Sequence, residues 1–186
     1  MKTLVVRAAC AKDVASIAQI YRGYVQNSYA SFELEPPSVD DMVRRWRGIC
    51  DRGLPYLVAT CSDRVVGYAH ASPYGSRPSC RASVEDSVYV SASHLRQGVG
   101  SKLLLALMAA CQHAGLRQMI AVIHGENGPS IAMHARRGFV TAGILSNLGE
   151  KCGQSFDAVL MQRSLECGDV PAIAEIMFHC PDGKRP

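Results

Sequence analysis

A polar turn that carries two glycines, Gln97-Gly98-Val99-Gly100, leads directly into the most strongly helical stretch of the chain. The first N–H groups of a helix have no partner within the helix, and the helix dipole adds partial positive charge there, so such a turn can bind an anion. Gly98 and Gly100 would let the backbone approach a ligand closely or adopt a positive φ. The two glycines alone are equally compatible with a plain left-handed turn before a helix.

The spacing within this turn excludes two nucleotide-binding motifs. A dinucleotide fingerprint requires a third glycine where Leu103 stands. A phosphate-binding loop requires a lysine directly after Gly100, where this chain has Ser101, and an upstream glycine where it has Leu95. The turn is therefore neither a dinucleotide fingerprint nor a phosphate-binding loop of this kind.

A carboxylate lies on the strand that is predicted just before the turn. Side chains alternate along a strand, so in ASVEDSVYVS the residues Glu85, Ser87 and Tyr89 share one face, whereas Asp86 points to the other. A carboxylate beside a cleft on the first face could accept a proton from a substrate. Glu85 is therefore the candidate base, and its alternative role is that of an exposed strand carboxylate.

A histidine lies on a short helix that is predicted further along the chain. His134, in SIAMHARRGF, could donate a proton near neutral pH, or it could be a packed or capping residue. Asn127 precedes this helix and could cap it. Ser130 lies between the two, in the first turn of the helix.

The periodicity of apolar residues predicts the elements that would carry these side chains. Helices are predicted from near Asp13, from a capping box formed by Ser38 and Asp41, from about 100 to 114, and over GPSIAMHARRG, where Gly138 ends the helix. The predicted strands are TLVVRAA, PYLVATC, VVGYAHASPY, ASVEDSVYVS, RQMIAVIH, and two further strands around 139–147 and 156–163. This order predicts an α/β (α+β) fold with a mixed sheet and helices on both faces.

Length and composition indicate one globular domain with a tail. The chain has 186 residues, of which 48% are hydrophobic and 19% charged, and we expect a domain over 1–165 followed by a tail over 166–186. The formal net charge of +4 suits a small anionic ligand. A nucleic-acid module would need clustered basic and aromatic residues, of which HARRG is the only hint, so no nucleic-acid partner is predicted.

The lengths of the apolar runs bear on cellular location, and the spacing of the cysteines bears on metal binding. The N-terminal apolar run breaks at Arg7, and no stretch is long enough to cross a bilayer, so we expect a cytoplasmic protein without a membrane partner. The eight cysteines form no CxxC pair, so no metal is predicted.

The turn belongs to a longer series of motifs. SFELEPPS, VVGYAHASPY, VEDSVYV, AVIHGENGPSIAMHARRGF and FDAVLMQR follow in order between about Leu4 and Leu165. Together they resemble the phosphinothricin/methionine sulfoximine N-acetyltransferase branch of the GCN5-related N-acetyltransferases. The resemblance implies a mostly antiparallel sheet that splays between two strands. It also implies direct transfer of acetyl from acetyl-CoA to the α-amine of a small amino acid, in a ternary complex.

The resemblance also implies roles for individual residues. It makes Glu85 the general base, and it makes His134 the group that either protonates the departing thiolate or only orients water or the thiol. The residues implied in binding acetyl-CoA are Val88, Tyr89, Val90, Arg96, Gln97, Gly98, Val99, Gly100, Ser101, Asn127 and Ser130. The residues implied in binding the amino acid are Phe32, Tyr74, Gly75, Ser76, Arg77, Arg81, Glu85 and Ser87.

Several questions stay open at the level of sequence. Cys80 and Phe156 replace an aromatic residue and a tryptophan that are common in the branch, which leaves the accepted side chain undecided. Cys152 has no histidine nearby in sequence, so a covalent relay is not expected. The rival functions are acetylation of a protein N-terminus or a lysine, and non-enzymatic binding of acyl-CoA. The branch commonly forms dimers, and we expect a homodimer.

Overall fold

The sheet has seven strands in a computed structural model that describes residues 4–75, 77–151 and 153–166. Its strand order is β1-β2-β3-β4-β5-β7-β6, and every neighbouring pair is antiparallel except β4 and β5. The strands are β1 Leu4–Ala8, β2 Tyr56–Cys61, β3 Arg64–Pro73, β4 Ser83–Val90, β5 Gln118–His124, β6 Val140–Lys151 and β7 Gln154–Ser164. The prediction of a mixed, mostly antiparallel sheet is confirmed.

Four α-helices accompany the sheet in the described part of the chain. They are α1 Val14–Asn27, α2 Val39–Cys50, α3 Val99–His113 and α4 Gly128–Arg136. The predicted capping box at the start of α2 is confirmed, since the Asp41 N–H donates to Ser38 Oγ at 3.1 Å. None of the described helices is both long enough and apolar enough to span a membrane.

The core consists of two apolar clusters, one on each face of the sheet. Side chains alternate along β2, where Leu57 belongs to the cluster around α3, whereas Tyr56 and Val58 belong to the cluster around α1 and α2. Leu103 and Leu107 of α3 are fully buried in the first cluster. Helices therefore cover both faces, as the sequence predicts.

A buried carboxylate fixes the start of α1. The guanidinium of Arg7 donates to Asp13 through two contacts of 2.6 and 2.8 Å, and the Cys10 N–H donates to the same carboxylate at 2.9 Å. Burial alone would raise the pKa of Asp13, but these hydrogen bonds hold it below its ordinary value. The orientation of α1 matters for function because this helix carries aromatic residues that reach β4.

The parallel contact between β4 and β5 is short. Ser83–Glu85 of β4 pair with Gln118–Ile120 of β5, and no further pairs join the two strands in the described residues. Beyond this point β4 remains paired with β3, and β5 remains paired with β7. The sheet therefore splays between β4 and β5, as the resemblance implies.

The C-terminal strands are longer than predicted. β6 and β7 pair in antiparallel register from Val140 opposite Gln162 to Lys151 opposite Gln154. The predicted tail lies almost entirely outside the described residues, which end at 166.

Candidate active site

The gap between β4 and β5 opens into a cleft of about 1130 Å³. The walls come from both strands, from the start of α3, from α4 and from the segment after α1. The Ser91 N–H bonds to the Val66 carbonyl of β3 at 2.8 Å. Because backbone groups alternate in direction along an antiparallel strand, the C=O of Asp86 and the N–H and C=O of Val88 point away from β3 and toward the gap. The cleft therefore has a backbone wall that can bind a ligand.

The glycine turn forms the end of this cleft, and its conformation suits an anion. Gly98 has a φ of 79° and precedes α3, whose first intrahelical hydrogen bond runs from the Lys102 N–H to the Gly98 carbonyl at 3.1 Å. The N–H groups of Val99, Gly100 and Ser101 therefore have no partner within the helix. A Cβ on Gly98 would meet no atom within 4 Å, so this position faces open space.

A glycine on β3 lets α3 pack closely against the sheet. A Cβ on Gly67 would lie 2.9 Å from the Tyr89 carbonyl oxygen and 3.0 Å from Leu103 Cδ1. Any side chain at this position would push the first turn of α3 away from β4. The placement of the glycine turn beside the gap depends on this close approach.

Glu85 lies where the gap begins. It is the last residue of β4 that pairs with β5, and it is half-buried. Burial, and secondarily the charge of Asp86, raise its pKa above the ordinary value. A carboxylate with a raised pKa is a better proton acceptor, which agrees with the predicted role of a base.

His134 is buried, and both of its ring nitrogens have partners. Nε2 lies 3.1 Å from Asp86 Oδ2, and Nδ1 lies 2.8 Å from the Ser130 carbonyl oxygen. Burial alone would lower the pKa of His134, but the hydrogen bond to Asp86 and its charge, with the Ser130 carbonyl, raise it above the ordinary value. Asn127 caps the same helix, since its Oδ1 accepts from the Ser130 N–H at 3.2 Å.

The backbone of Val90, a residue implied in binding acetyl-CoA, is bonded to a side chain of α1. The hydroxyl of Tyr24 donates to the Val90 carbonyl at 2.8 Å and accepts from the Val90 N–H at 3.3 Å. Both backbone groups of Val90 are therefore bonded to a tyrosine that α1 brings to this point, and Val90 still lines the cleft. Tyr24 also packs edge-on against the Tyr89 ring, with centroids 5.0 Å apart.

The segment 28–32 forms an aromatic wall over the cleft. Phe32 stacks on Phe156 of β7 with ring centroids 5.0 Å apart, and Tyr29 packs against His124 at 5.2 Å. The buried ammonium of Lys151 donates to the carbonyls of Ser28 and Ser31 at 2.8 and 2.9 Å. This segment is thus held against the β6–β7 hairpin.

The structure brings most of the predicted site residues to one cleft. Those that line it are Phe32, Glu85, Ser87, Val88, Tyr89, Val90, Arg96, Gly98, Val99, Gly100, Ser101, Asn127, Ser130 and His134. Gln97 is exposed, and its side chain donates to the Ser93 carbonyl instead.

The remaining predicted residues are not brought to the cleft. Tyr74, Gly75, Arg77 and Arg81 follow β3 and lie at the end of the sheet near Glu85, but they do not line the cleft. Ser76 and Cys152 lie outside the described residues.

Sequence reasoning missed several polar residues of the cleft. Asp86 and Tyr24 contact predicted site residues, and Arg137 donates from Nε and Nη2 to Ser101 Oγ at 3.1 and 2.7 Å. His124 is buried at the cleft, and its Nε2 has no partner among the described residues. These pairings are long-range, and the spacing of residues along the chain carried no signal for them. Within the described ranges, no group of three His, Cys, Asp or Glu side chains is arranged to hold a metal ion.

Comparison with known proteins agrees with this geometry. The model of the acetyltransferase (GNAT) family matches residues 17–139. A phosphinothricin N-acetyltransferase from Alcaligenes faecalis is 44% identical over 159 residues, which is 84% of this chain and 80% of the relative. An L-methionine sulfoximine/L-methionine sulfone acetyltransferase from Pseudomonas paraeruginosa is 32% identical over 162 residues, which is 87% of this chain and 94% of that protein.

A solved structure extends the comparison to three dimensions. The phosphinothricin acetyltransferase from Sinorhizobium meliloti, in complex with AcCoA, is similar to this chain with a TM-score of 0.85 and 42% identity. The match covers 87% of this chain and 88% of that one. The chain is a member of the acetyltransferase (GNAT) family.

Proposed function

We propose that this protein transfers the acetyl group of acetyl-CoA directly to the α-amine of a small amino acid, such as phosphinothricin or methionine sulfoximine or sulfone. The observation that carries the proposal is the gap between β4 and β5, which begins at Glu85 and ends at the free N–H groups of the glycine turn. The named activities of the similar proteins support the substrate class.

The glycine turn and the wall of the gap are suited to hold the coenzyme. The N–H groups of Val99, Gly100 and Ser101 would bind its diphosphate, with Arg96 and Gln97 beside them. The backbone of Val88 and the side chains of Asn127 and Ser130 would bind its arm. When bound, acetyl-CoA supplies the reactive acyl thioester. The backbone of β4 would stabilise negative charge on the acyl oxygen, because a preorganised N–H can act as an oxyanion contact.

Two side chains on opposite sides of β4, Glu85 of β4 itself and His134 of α4, divide the proton transfers. Glu85 would remove a proton from the substrate ammonium, directly or through water, so that the neutral amine can attack. The raised pKa of Glu85 supports this role. His134 would provide the proton that the departing thiolate needs, and its raised pKa supports a protonated ring near neutral pH.

The amino acid would bind between Glu85 and the aromatic wall. Phe32 would contact its side chain, and Ser87 lies on the same face of β4 as the base. Arg77 and Arg81 would bind acidic oxygens of the substrate in pairs, because guanidinium groups suit carboxylate and phosphinate geometry. Tyr74, Gly75 and Ser76 would complete this side of the site. This connection leads from β3 into the start of β4, a few residues before Glu85, and that proximity in the chain supports the assignment.

We further propose that the protein acts in the cytoplasm as a homodimer. Support for pairing comes from β6, an edge strand with exposed apolar side chains. These are Val140, Ile144, Leu145 and Leu148. An exposed apolar edge is a common site of association between chains.

The function is tested by mixing the protein and acetyl-CoA with a panel of acceptors. The panel contains phosphinothricin, methionine sulfoximine, methionine sulfone, the free protein amino acids and a short peptide with a free N-terminus. Loss of the thioester is followed by its ultraviolet absorbance, because the eight cysteines of the chain would react with a thiol reagent. We expect turnover with at least one free amino acid and an N-acetyl product by mass spectrometry. Turnover with the peptide alone would favour protein acetylation, and binding without turnover would favour a regulator.

A further inference from the structure

Asp86 and His134 form a buried contact across the cleft, between β4 and α4. Asp86 Oδ2 lies 3.1 Å from His134 Nε2, and the two side chains are only 2% and 4% exposed. Asp86 faces away from Glu85 because neighbouring strand residues point to opposite faces. The pair therefore lies on the α3 side of the sheet, apart from the candidate base.

The partners of the two ring nitrogens determine the protonation state of His134. The Ser130 carbonyl, 2.8 Å from Nδ1, is only an acceptor, so Nδ1 must carry a proton. A carboxylate oxygen of Asp86 can likewise accept a hydrogen bond from a protonated Nε2, 3.1 Å away. The ring of Phe139 packs edge-on against the imidazole, with centroids 5.0 Å apart, and fixes its plane. Both contacts favour the doubly protonated form of His134.

The other groups around the pair leave this assignment intact. Cys111 of α3 remains a neutral thiol, since burial and then the charge of Asp86 raise its pKa. Glu85 projects from the opposite face of β4, Arg136 at the end of α4 is exposed, and Arg137 just after α4 is bonded to Ser101. The second carboxylate oxygen of Asp86, Oδ1, is buried and has no partner among the described residues.

Ser130 connects the buried pair with the cleft, but not as a nucleophile. Its Oγ lies 3.4 Å from Nδ1 of His134, so Asp86, His134 and Ser130 follow one another as in a hydrolase triad. In a triad the histidine accepts the serine proton, whereas here Nδ1 already donates to a carbonyl. With Nδ1 protonated, a proton moves from Nδ1 toward Ser130 and not in the reverse direction.

We propose that Asp86 is a positioning residue that holds His134 doubly protonated, and that the Ser130 hydroxyl, which lines the cleft, is the outlet for its proton. In the step that this arrangement permits, the Nδ1–H bond breaks and the proton passes to Ser130 Oγ, whose own proton passes to the leaving thiolate. His134 is left neutral and still donates from Nε2 to Asp86, and water returns a proton after turnover. The inference rests on the proposed function for its role in catalysis.

The test reads the protonation of His134 directly, by NMR titration of the histidine ring signals in the ligand-free protein. The His134→Gln variant assigns the signal. We expect the wild-type pKa of His134 to lie above 6.5, its ordinary value, and Asp86→Asn to lower it by about 1 to 3 units, as loss of a paired charge does. Glu85→Gln is the matched control, because it removes a neighbouring carboxylate from the opposite face, and it should shift the same signal less.

A second arm measures how kcat depends on pH. In wild type, kcat should decrease at high pH as His134 loses its proton, and in Asp86→Asn this decrease should begin at a lower pH. If Asp86 had a purely structural role, its replacement would lower kcat without changing the pH at which the decrease begins. Ser130→Ala should lower kcat and leave the His134 pKa nearly unchanged.

Two results would overturn the inference. One is a wild-type His134 pKa at or below 6.5, which decides the matter even if Asp86→Asn does not fold. The other is an unshifted signal in folded Asp86→Asn. If no acceptor is acetylated while the NMR titration behaves as expected, the proposed function fails and the assignment of the pair stands.

Discussion

At the scale of single residues, the two faces of β4 give neighbouring carboxylates different chemistry. Glu85 faces the α1 side and is half-buried, and its pKa is raised by burial and by Asp86. Asp86 faces the α3 side and is bonded to His134. Two consecutive residues of β4 therefore have different roles. Glu85 is suited to accept a proton, whereas Asp86 stabilises a proton on His134.

Replacing Glu85 by glutamine should remove the base and little else. We expect Glu85→Gln to lower kcat by about 10²- to 10⁴-fold, the usual contribution of a general base, with unchanged affinity for coenzyme A by calorimetry. In wild type the raised pKa should place the acidic limb of kcat/KM above pH 4.5, the ordinary value for this group. The limb falls as pH decreases, because protonation removes the base, and it should be absent in the variant.

Asp63→Asn is a suitable control for this experiment. Asp63 is an exposed carboxylate in the turn between β2 and β3, with a φ of 63° that asparagine tolerates. It should leave kcat unchanged. A Glu85→Gln variant that loses coenzyme affinity and turnover equally would remove Glu85 from the role of base.

At the scale of elements, the start of α3 is the most constrained feature of the site. Gly98 combines a positive φ with open space in the cleft, so Gly98→Val should strain the backbone and also occupy the space of the diphosphate. We expect coenzyme affinity to fall at least about tenfold, equivalent to about 1.4 kcal/mol. The effect on kcat at saturating coenzyme should be smaller.

Gly115→Val separates these two causes. Gly115 has a φ of 78° and open space around it, but it lies at the other end of α3. It should lower the melting temperature as Gly98→Val does and leave coenzyme affinity unchanged. Equal affinity of the Gly98→Val variant and wild type for coenzyme A would contradict anion binding by the turn.

The segment 28–32 depends on a lysine from another element. Lys151 donates to two carbonyls of this segment, and methionine has a similar length but cannot donate. Lys151→Met should loosen the aromatic wall and raise KM for the amino acid severalfold, while KM for acetyl-CoA changes little. Lys12→Met, at an exposed lysine, is the control. Parallel changes in both KM values would show that Lys151 supports the whole cleft instead.

Secondary structure depends on local sequence, whereas the contacts in the site join distant residues, and this difference explains what the sequence could predict. The periodicity of apolar residues located α3 and β4 within a residue or two, and the Ser38 capping box was read correctly. These are local features of the chain. The bonds from Tyr24 to Val90 and from Lys151 to Ser28 join distant parts of the sequence. These bonds depend on how the helices pack against the sheet. The spacing of residues along the chain does not encode that packing.

At the scale of the whole molecule, the exposed edge of β6 bears on assembly. Ile144 is 62% exposed, and lysine there would place a charge in any apolar contact between copies. We expect Ile144→Lys to convert a dimer into a monomer in size-exclusion chromatography with light scattering. Val39→Lys, at an exposed residue of α2, should leave the mass unchanged. A wild-type monomer at all concentrations tested would contradict the proposed dimer.

The short contact between β4 and β5 has a consequence for the lifetime of the protein. Three residue pairs join these strands, whereas seven join β3 to β4 and seven join β5 to β7. A molecule seated in the gap binds the native state only, so by thermodynamic linkage it stabilises that state by about 2.7 kcal/mol at a hundredfold excess over its dissociation constant. The concentration of the acetyl donor would then affect the resistance of each molecule to proteolysis as well as its turnover rate.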